Sequence, residues 1–407
     1  MKTGLDHILR GSQLFGPEMH EDPYPVYRAL REQEPVRWDE ALHAWVITSY
    51  DEVVWALMVL SSDRVTGARG RFHGPSLQPL FDVLARLMVQ RDDPDHQRIR
   101  NLIQKAFLRT SVDRWSNAIV RRISSLLQVG LQSGQMDFIW DFAVPLPVLV
   151  ISEIVGIPED DQHRVKQWCD DFALVATNFY ANISADQLER GWRSTEAFRT
   201  YLNAQVDEVR RAPRDDLLTA LVHAEEEGTR LTLDELLANV ILLLNAGNET
   251  TTNLLGNGLV ALLQHPDQLQ RLRHDPTLIP NAVEELLRYD SPVQFLGRIA
   301  TSEVDRGGQR IRHGDLVLPV LGAANRDPAQ FPDPDHLDVT RQASHHVAFG
   351  HGHHYCAGAP LARLEGRLAF STLLTTCQTL ELVTTDLQHH ENFNLRGYST
   401  LPIRLSS

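Results

Sequence analysis

Phe349-Gly350-His351-Gly352-His353-His354-Tyr355-Cys356-Ala357-Gly358 is the stretch on which the reading of this chain turns. A strand-like His346-Val347-Ala348 precedes it, and Pro360-Leu361-Ala362-Arg363-Leu364-Glu365 reads as the start of a helix. Three glycines allow backbone turns that other residues resist and let a flat ligand come close. Cys356 stands just ahead of the helix N-terminus, where backbone N–H groups and the helix dipole favour thiolate over thiol. A thiolate on such a loop is a good metal ligand. Two other readings remain open at this point. The five histidines between His345 and His354 could form a transition-metal tract, or the whole stretch could be a surface turn with a half-buried cysteine.

The bulk numbers narrow the field. With 407 residues and no Gly/Ser- or Pro-rich linker, one large helical domain over 1–407 suits the chain as well as several small ones. A net charge of −14 disfavours nucleic acid or an anionic membrane as partner. Three cysteines, Cys169, Cys356 and Cys377, argue against a disulfide framework and for a reducing compartment. The N-terminus carries no apolar run of signal length, and the most apolar stretch, Phe142 to Ile151, is interrupted by Pro145 and Pro147. A soluble cytoplasmic protein without a membrane anchor is expected.

Along the chain, a helix near Asp22 to Gln33 is followed by β-like stretches at Val36–Trp38 and Ala44–Thr48, and a long loop fills Val65 to Pro79. Asp93-Pro94 reads as the N-cap and first turn of a helix on which His96 and Arg100 share a face. Helical periodicity runs from Trp115 to Gly156, then from Asp161 to Ala176 and Ala185 to Arg211. Thr232-Leu233-Asp234-Glu235 has capping-box spacing ahead of a run from Leu236 to Gln264, a buried central helix about 40 Å long. Within it, Ala246-Gly247-Asn248-Glu249-Thr250-Thr251 is a costly insertion of small and polar residues. Leu243, Ala246, Gly247 and Thr250 share one face, and the small pair would admit a flat ring. Glu285 and Arg288 form an i,i+3 pair, and strands are expected near Ile311 and Leu316–Val320.

Phe-Gly-x-Gly-x-His-x-Cys-x-Gly resembles the haem-binding loop of the cytochrome P450 family. Ala-Gly-x-Glu-Thr-Thr is similar to that family's oxygen-activation motif, and Glu285-x-x-Arg288 to its structural ion pair. Asp92-x-Pro94-x-His96-x-x-x-Arg100 resembles a further helix motif of that family, and with all of these in family order the resemblance runs from about Asp22 to the end. It implies a mainly α fold with small β-sheets, a triangular helical prism whose long central helix lies over the haem. A small β-rich region would come from the N-terminal and 295–320 segments. Cys356 would be the axial ligand to haem b, with Phe349, Gly350, Gly358, Ala246 and Gly247 around the cofactor. His96, Arg100, Arg298 and His354 would hold its propionates, leaving His345, His346, His351 and His353 as ordinary loop residues. Glu249 and Thr250 would relay protons, and Arg341 would join Glu285 and Arg288.

The implied activity is a bacterial-type monooxygenase that inserts one atom of O₂ into a hydrophobic small molecule, by hydroxylation or epoxidation, in secondary metabolism such as polyketide, macrolide or terpenoid tailoring. Electrons would come from a separate ferredoxin and its reductase, since no flavin fingerprint or iron–sulfur cysteine cluster stands in the chain. Arg98, Lys105, Arg109, Arg363 and Arg367 would offer a basic dock to that partner, and the protein would act as a monomer. Phe81, Leu84, Leu87, Met88, Phe179, Leu242, Leu243, Ala246, Val293, Phe295 and Tyr398 are the expected substrate contacts. A peroxide-driven relative and a non-catalytic haem sensor or recruiting partner are the alternatives.

Overall fold

Apolar periodicity becomes helix and alternation becomes short strand in the computed structural model, which describes residues 19, 21–65, 78–105, 115–177, 184–224 and 229–407. The strands are β1 (Val36–Asp39), β2 (Ala44–Ile47), β3 (Gln135–Asp137), β4 (Arg298–Ile299), β5 (Val304–Arg306), β6 (Gln309–Ile311), β7 (Leu316–Pro319), β8 (Thr379–Leu382) and β9 (Pro402–Ser406). They form a four-stranded sheet in the order β1-β2-β7-β4, a three-stranded sheet β3-β9-β8, and the hairpin β5-β6. In the larger sheet β2 and β7 run parallel, with Ala44 opposite Leu316 and Ile47 opposite Pro319. Both are buried along their whole length, which is why each reads as an unbroken apolar run rather than an alternation.

The chain divides into two compact units, each described by itself. The first takes the described residues up to Ser61, then Ile119–Leu146 and Glu249–Ser407, and holds all nine strands. The second takes the described residues of 62–118 and Pro147–Asn248.

The second unit carries helices α1 (Asp95–Gln104), α2 (Glu159–Thr177), α3 (Ala185–Arg211) and α4 (Leu233–Ala246). A capping box opens α3 at Ser184 and Gln187, and another opens α4 at Thr232 and Glu235. Helices α2 and α3 meet at Gly191, where a Cβ would fall 2.5 Å from Val175. Ser194 Oγ donates to Asp171 Oδ2 beside that contact, at 2.7 Å. In the first unit, α5 (Asn248–Gln264; its first residue belongs to the second unit), α6 (Ile279–Tyr289) and α7 (Ala359–Thr376) pack closely. A Cβ on Gly258 would lie 2.7 Å from the Phe370 ring, and one on Gly366 3.3 Å from Leu254 and Val283.

Four expectations change. The helix carrying His96 begins at Asp95 with Pro94 in the cap position and no side-chain cap; Asp93 Oδ1 lies instead 3.3 Å from His96 Nδ1. Periodicity over 115–156 hides β3, because three residues are too few to disturb a helical pattern. Phe138–Val155 is long and apolar enough to cross a membrane by length and composition, with mean hydropathy 1.9. Its prolines open the helix Pro145–Val155 instead of breaking it. It is a core segment, since 67% of that window is buried. Finally, the long central run is two helices, α4 and α5, interrupted at Gly247.

Candidate functional site

The cysteine loop is built from its glycines. Gly350 and Gly352 adopt φ +74° and +72°, the left-handed region that disfavours side chains. The Cys356 N–H returns to donate to the Phe349 carbonyl at 2.9 Å, closing the loop just before Gly358 caps α7. Of the three cysteines only Cys356 is exposed; burial pushes the thiols of Cys169 and Cys377 up.

Two ionic clusters are built on α6, and one of them reaches this loop. The first was legible in sequence. Glu285 and Arg288 are fully buried on α6, and Arg288 Nε and Nη2 donate to the two Glu285 oxygens at 2.7 and 2.8 Å. Arg288 Nη1 donates to the Asn325 and Pro334 carbonyls, and Arg341 Nε to Glu285 Oε1 at 3.2 Å. The second cluster was missed. Glu284, the neighbour of Glu285, accepts from Arg363 Nε and Nη2 at 2.7 and 2.8 Å and from His346 Nε2 at 3.1 Å. His346 Nδ1 accepts from the Ala348 N–H, which fixes the tautomer that donates to Glu284. Arg363 also donates to the Tyr355 hydroxyl at 2.9 Å and lies 4.5 Å from the centre of the Phe349 ring. Burial pushes the Glu284 carboxyl up, but hydrogen bonds from His346 and Arg363 outweigh it and hold it at about 2.

This overturns part of the expected docking patch. Arg363 is turned inward onto Glu284, and Arg98 is paired with Glu235 of α4. Arg109 lies outside the described residues. His346, expected to be an ordinary loop residue, is a buried partner of Glu284.

On the central helices, Leu243 and Leu244 are buried, as is α5 from Thr251 to Leu262, while Ala246 is exposed and Gly247, Glu249 and Thr250 are half-buried. Gly247 keeps a helical backbone, yet its N–H bonds the Asn245 carbonyl, out of register with a regular turn. Among the described residues, a Cβ there would meet only the Leu243 carbonyl oxygen, at 3.9 Å, so none of them demands glycine at that position. Glu249 Oε1 lies 3.9 Å from His390 Nε2, a contact no motif announces. Thr252 Oγ1 donates to the Ala143 carbonyl at 2.9 Å.

Arg298 is buried on β4, paired opposite Val317, and its Nη1 donates to the Gly297 carbonyl. His354 is half-buried in the short 3₁₀ turn Gly352–His354. The second unit places His96 buried and Arg100 half-buried on α1. Phe81, Leu84, Leu87 and Met88 are buried there, and the Met88 N–H donates to Asn239 Oδ1 of α4 at 2.9 Å. Leu242 is half-buried. In the first unit Phe295 packs against the core of Tyr24, Tyr27, Val46 and Val320. Val293 packs beside the core around Val36 and Val317. Tyr398 is buried and stacked 4.3 Å from His389. Phe179 lies outside the described residues.

The donor set agrees with a macrocyclic metal group and not with a bare ion. Among the described residues, no group of three or more His, Cys, Asp or Glu side chains could hold a metal ion. A metal on Cys356 would take its other ligands from a prosthetic group.

A family model described as Cytochrome P450 matches residues 162–403. The polyketide biosynthesis cytochrome P450 PksS of Bacillus subtilis is 36% identical over 406 residues, covering 96% of this chain and 98% of its own. The cytochrome P450 monooxygenase PikC of Streptomyces venezuelae is 39% identical over 401 residues, covering 96% and 92%. The solved structure of P450BioI, in complex with an acyl carrier protein ligated to hexadec-9Z-enoic acid, aligns with TM-score 0.87 at 34% identity. That alignment covers 96% of this chain and 99% of P450BioI.

Proposed function

The chain belongs to the cytochrome P450 family of bacterial monooxygenases, and from that premise we propose that it hydroxylates or epoxidises a hydrophobic product of secondary metabolism. The observation that carries the haem-thiolate reading is Cys356, exposed on a glycine-turned loop at the N-terminus of α7 while the other two cysteines are buried. Haem, when bound, supplies dioxygen activation and oxygen transfer, assisted by electron density from the cysteine sulfur.

The protein's own share is holding, shielding and proton movement. His96, Arg100, Arg298 and His354 would hold the haem carboxylates; arginine is suited to this by its bidentate fork. Phe349, Gly350, Gly358, Ala246 and Gly247 would leave room for the ring. Thr250 Oγ1 and the Glu249 carboxylate would pass protons to the reacting dioxygen, with reductant supplied by a separate ferredoxin and its reductase. Phe81, Leu84, Leu87, Met88, Leu242, Leu243, Val293 and Tyr398 would line the substrate's path. The polyketide-biosynthesis role in the name of PksS supports a polyketide class of substrate. A second reading, favoured by the carrier-protein complex of P450BioI, is that the substrate is presented on an acyl carrier protein.

The reduced, CO-treated protein tests the assignment. The thiolate-type Soret shift is expected in the wild type and lost in Cys356→Ser; an unchanged spectrum in the variant would overturn it. Thr250→Ala tests the relay: with reductant, O₂ and a panel of free and carrier-bound acyl and macrolide compounds, product should fall about a hundredfold. Reductant consumption should persist, with hydrogen peroxide released instead. Undiminished product formation from peroxide alone would favour a peroxygenase, and spectral binding without any turnover a sensor.

A further inference from the structure

We propose that Glu284 and Arg363 act with opposite sign on the reduction potential of the group held by Cys356, each offsetting the other's charge beside the cysteine loop. The inference rests on the haem-thiolate reading and concerns residues that this reading does not use. Three contacts support it. Arg363 leaves its own helix to stack over Phe349, 4.5 Å from the ring centre. The carbonyl of that same Phe349 accepts the Cys356 N–H at 2.9 Å. Tyr355, the residue before the cysteine, accepts a hydrogen bond from Arg363 Nη1 at 2.9 Å. One guanidinium therefore touches residues on both arms of the cysteine loop.

Its charge is matched by a single carboxylate. Glu284 receives two hydrogen bonds from Arg363 and one from His346, so α7 and the stretch ahead of the cysteine loop converge on it. Each partner is largely shielded from solvent, with side-chain exposures of 28% for Arg363 and 18% for Glu284. At this burial, removal of either partner leaves the other's charge poorly screened beside the loop. Gaining one electron is favoured by a nearby positive charge and disfavoured by a negative one. The two halves of the pair act on the potential with opposite sign, and the intact pair nearly cancels.

The test is a potentiometric titration of the substrate-free holoenzyme with a dithionite-reduced mediator series. In Glu284→Gln the potential is expected to rise, increasing the ferrous-to-ferric ratio at fixed poise about tenfold, equivalent to about 59 mV for one electron. In Arg363→Gln the ratio should fall to a similar extent. The double variant should return to within about threefold of the wild type. A merely structural role predicts something else: both single variants would shift in the same direction, with the double variant worse than either. That outcome, or unchanged potentials in both, overturns the inference. The ferrous–CO spectrum, recorded on each sample, separates the two levels of failure. If the wild type lacks the thiolate signature, the haem-thiolate reading fails. If the signature is present and opposite shifts are absent, only the role of the pair fails. Should Glu284→Gln fold poorly, Arg363→Lys decides, because it keeps the charge without the stacked fork. Its potential should stay near the wild type, and a fall like that of Arg363→Gln would refute charge as the cause.

Discussion

Arg288→Ala is expected to lose about 3–5 kcal/mol of stability, a large part of what a fold of this kind has. The guanidinium is completely buried and its donors reach both Glu285 oxygens, the Asn325 carbonyl and the Pro334 carbonyl. It also lies 5.4 Å from the Phe331 ring centre. Alanine would strand two backbone carbonyls and leave Glu285 supported by Arg341 at 3.2 Å and the Asp338 N–H at 3.0 Å. Removing one member of a buried ion pair costs about 3–5 kcal/mol, against a total stability of about 5–15 kcal/mol for a typical fold. Lysine should rescue little, since a point charge cannot reproduce the bidentate contact and the carbonyl contacts together. Chemical denaturation followed by circular dichroism measures this. A midpoint for Arg288→Ala indistinguishable from the wild type would show that the cluster carries no such energy.

The second large effect runs the other way. Glu365 on α7 is buried, its Oε2 has no hydrogen-bond partner among the described residues, and burial pushes the carboxyl up to about 8. In the unfolded chain the same group titrates at about 4.5. Below that value both states hold the proton and the carboxyl imposes no ionisation cost. Above it the unfolded chain releases the proton while the folded one retains it, so stability falls as pH rises, by about 1.4 kcal/mol per unit. The loss levels off above about 8, where both states are ionised. At pH 7 it amounts to about 3 kcal/mol. Glu365→Met, of similar length and without a charge, is therefore expected to match or modestly differ from the wild type near pH 5 and to exceed it progressively up to pH 8. Denaturation midpoints of the two proteins across that range check it. Parallel curves would mean that Glu365 is not held protonated in the fold.

How much of this was legible in the residues depends on whether a feature is local. The Cys356 loop announces itself because its glycines, histidine and cysteine stand within ten residues, and the structure gives Gly350 and Gly352 the left-handed backbone that their type permits. Glu285 and Arg288 are one helical turn apart, so their pairing follows from spacing. Glu284 is the contrast. It is as central as its neighbour, yet its partners lie 62 and 79 residues away at His346 and Arg363, and no periodicity links them. The same blindness made Arg363 look like a surface cation. His390 near Glu249 is a third case of a contact set by tertiary packing alone. At Gly247 the composition marks a costly insertion, but the apolar runs on both sides read as one helix, while the hydrogen-bond register breaks there.

The parallel pairing of β2 with β7 has a consequence for biosynthesis. A ribosome releases Ala44 about 270 residues before Leu316, and at about 5–20 residues per second the wait is roughly 14–55 seconds. Throughout it, the apolar strand Ala44–Ile47 has β1 on one side and no partner on the other, an open edge of the kind that aggregates. The first unit, assembled from the described residues up to Ser61, Ile119–Leu146 and Glu249–Ser407, thus has to form after the intervening helices of the second unit have emerged. Slow elongation or overproduction should penalise this chain through its β2 edge, and nascent-chain chaperones that cover extended apolar segments should meet it there first.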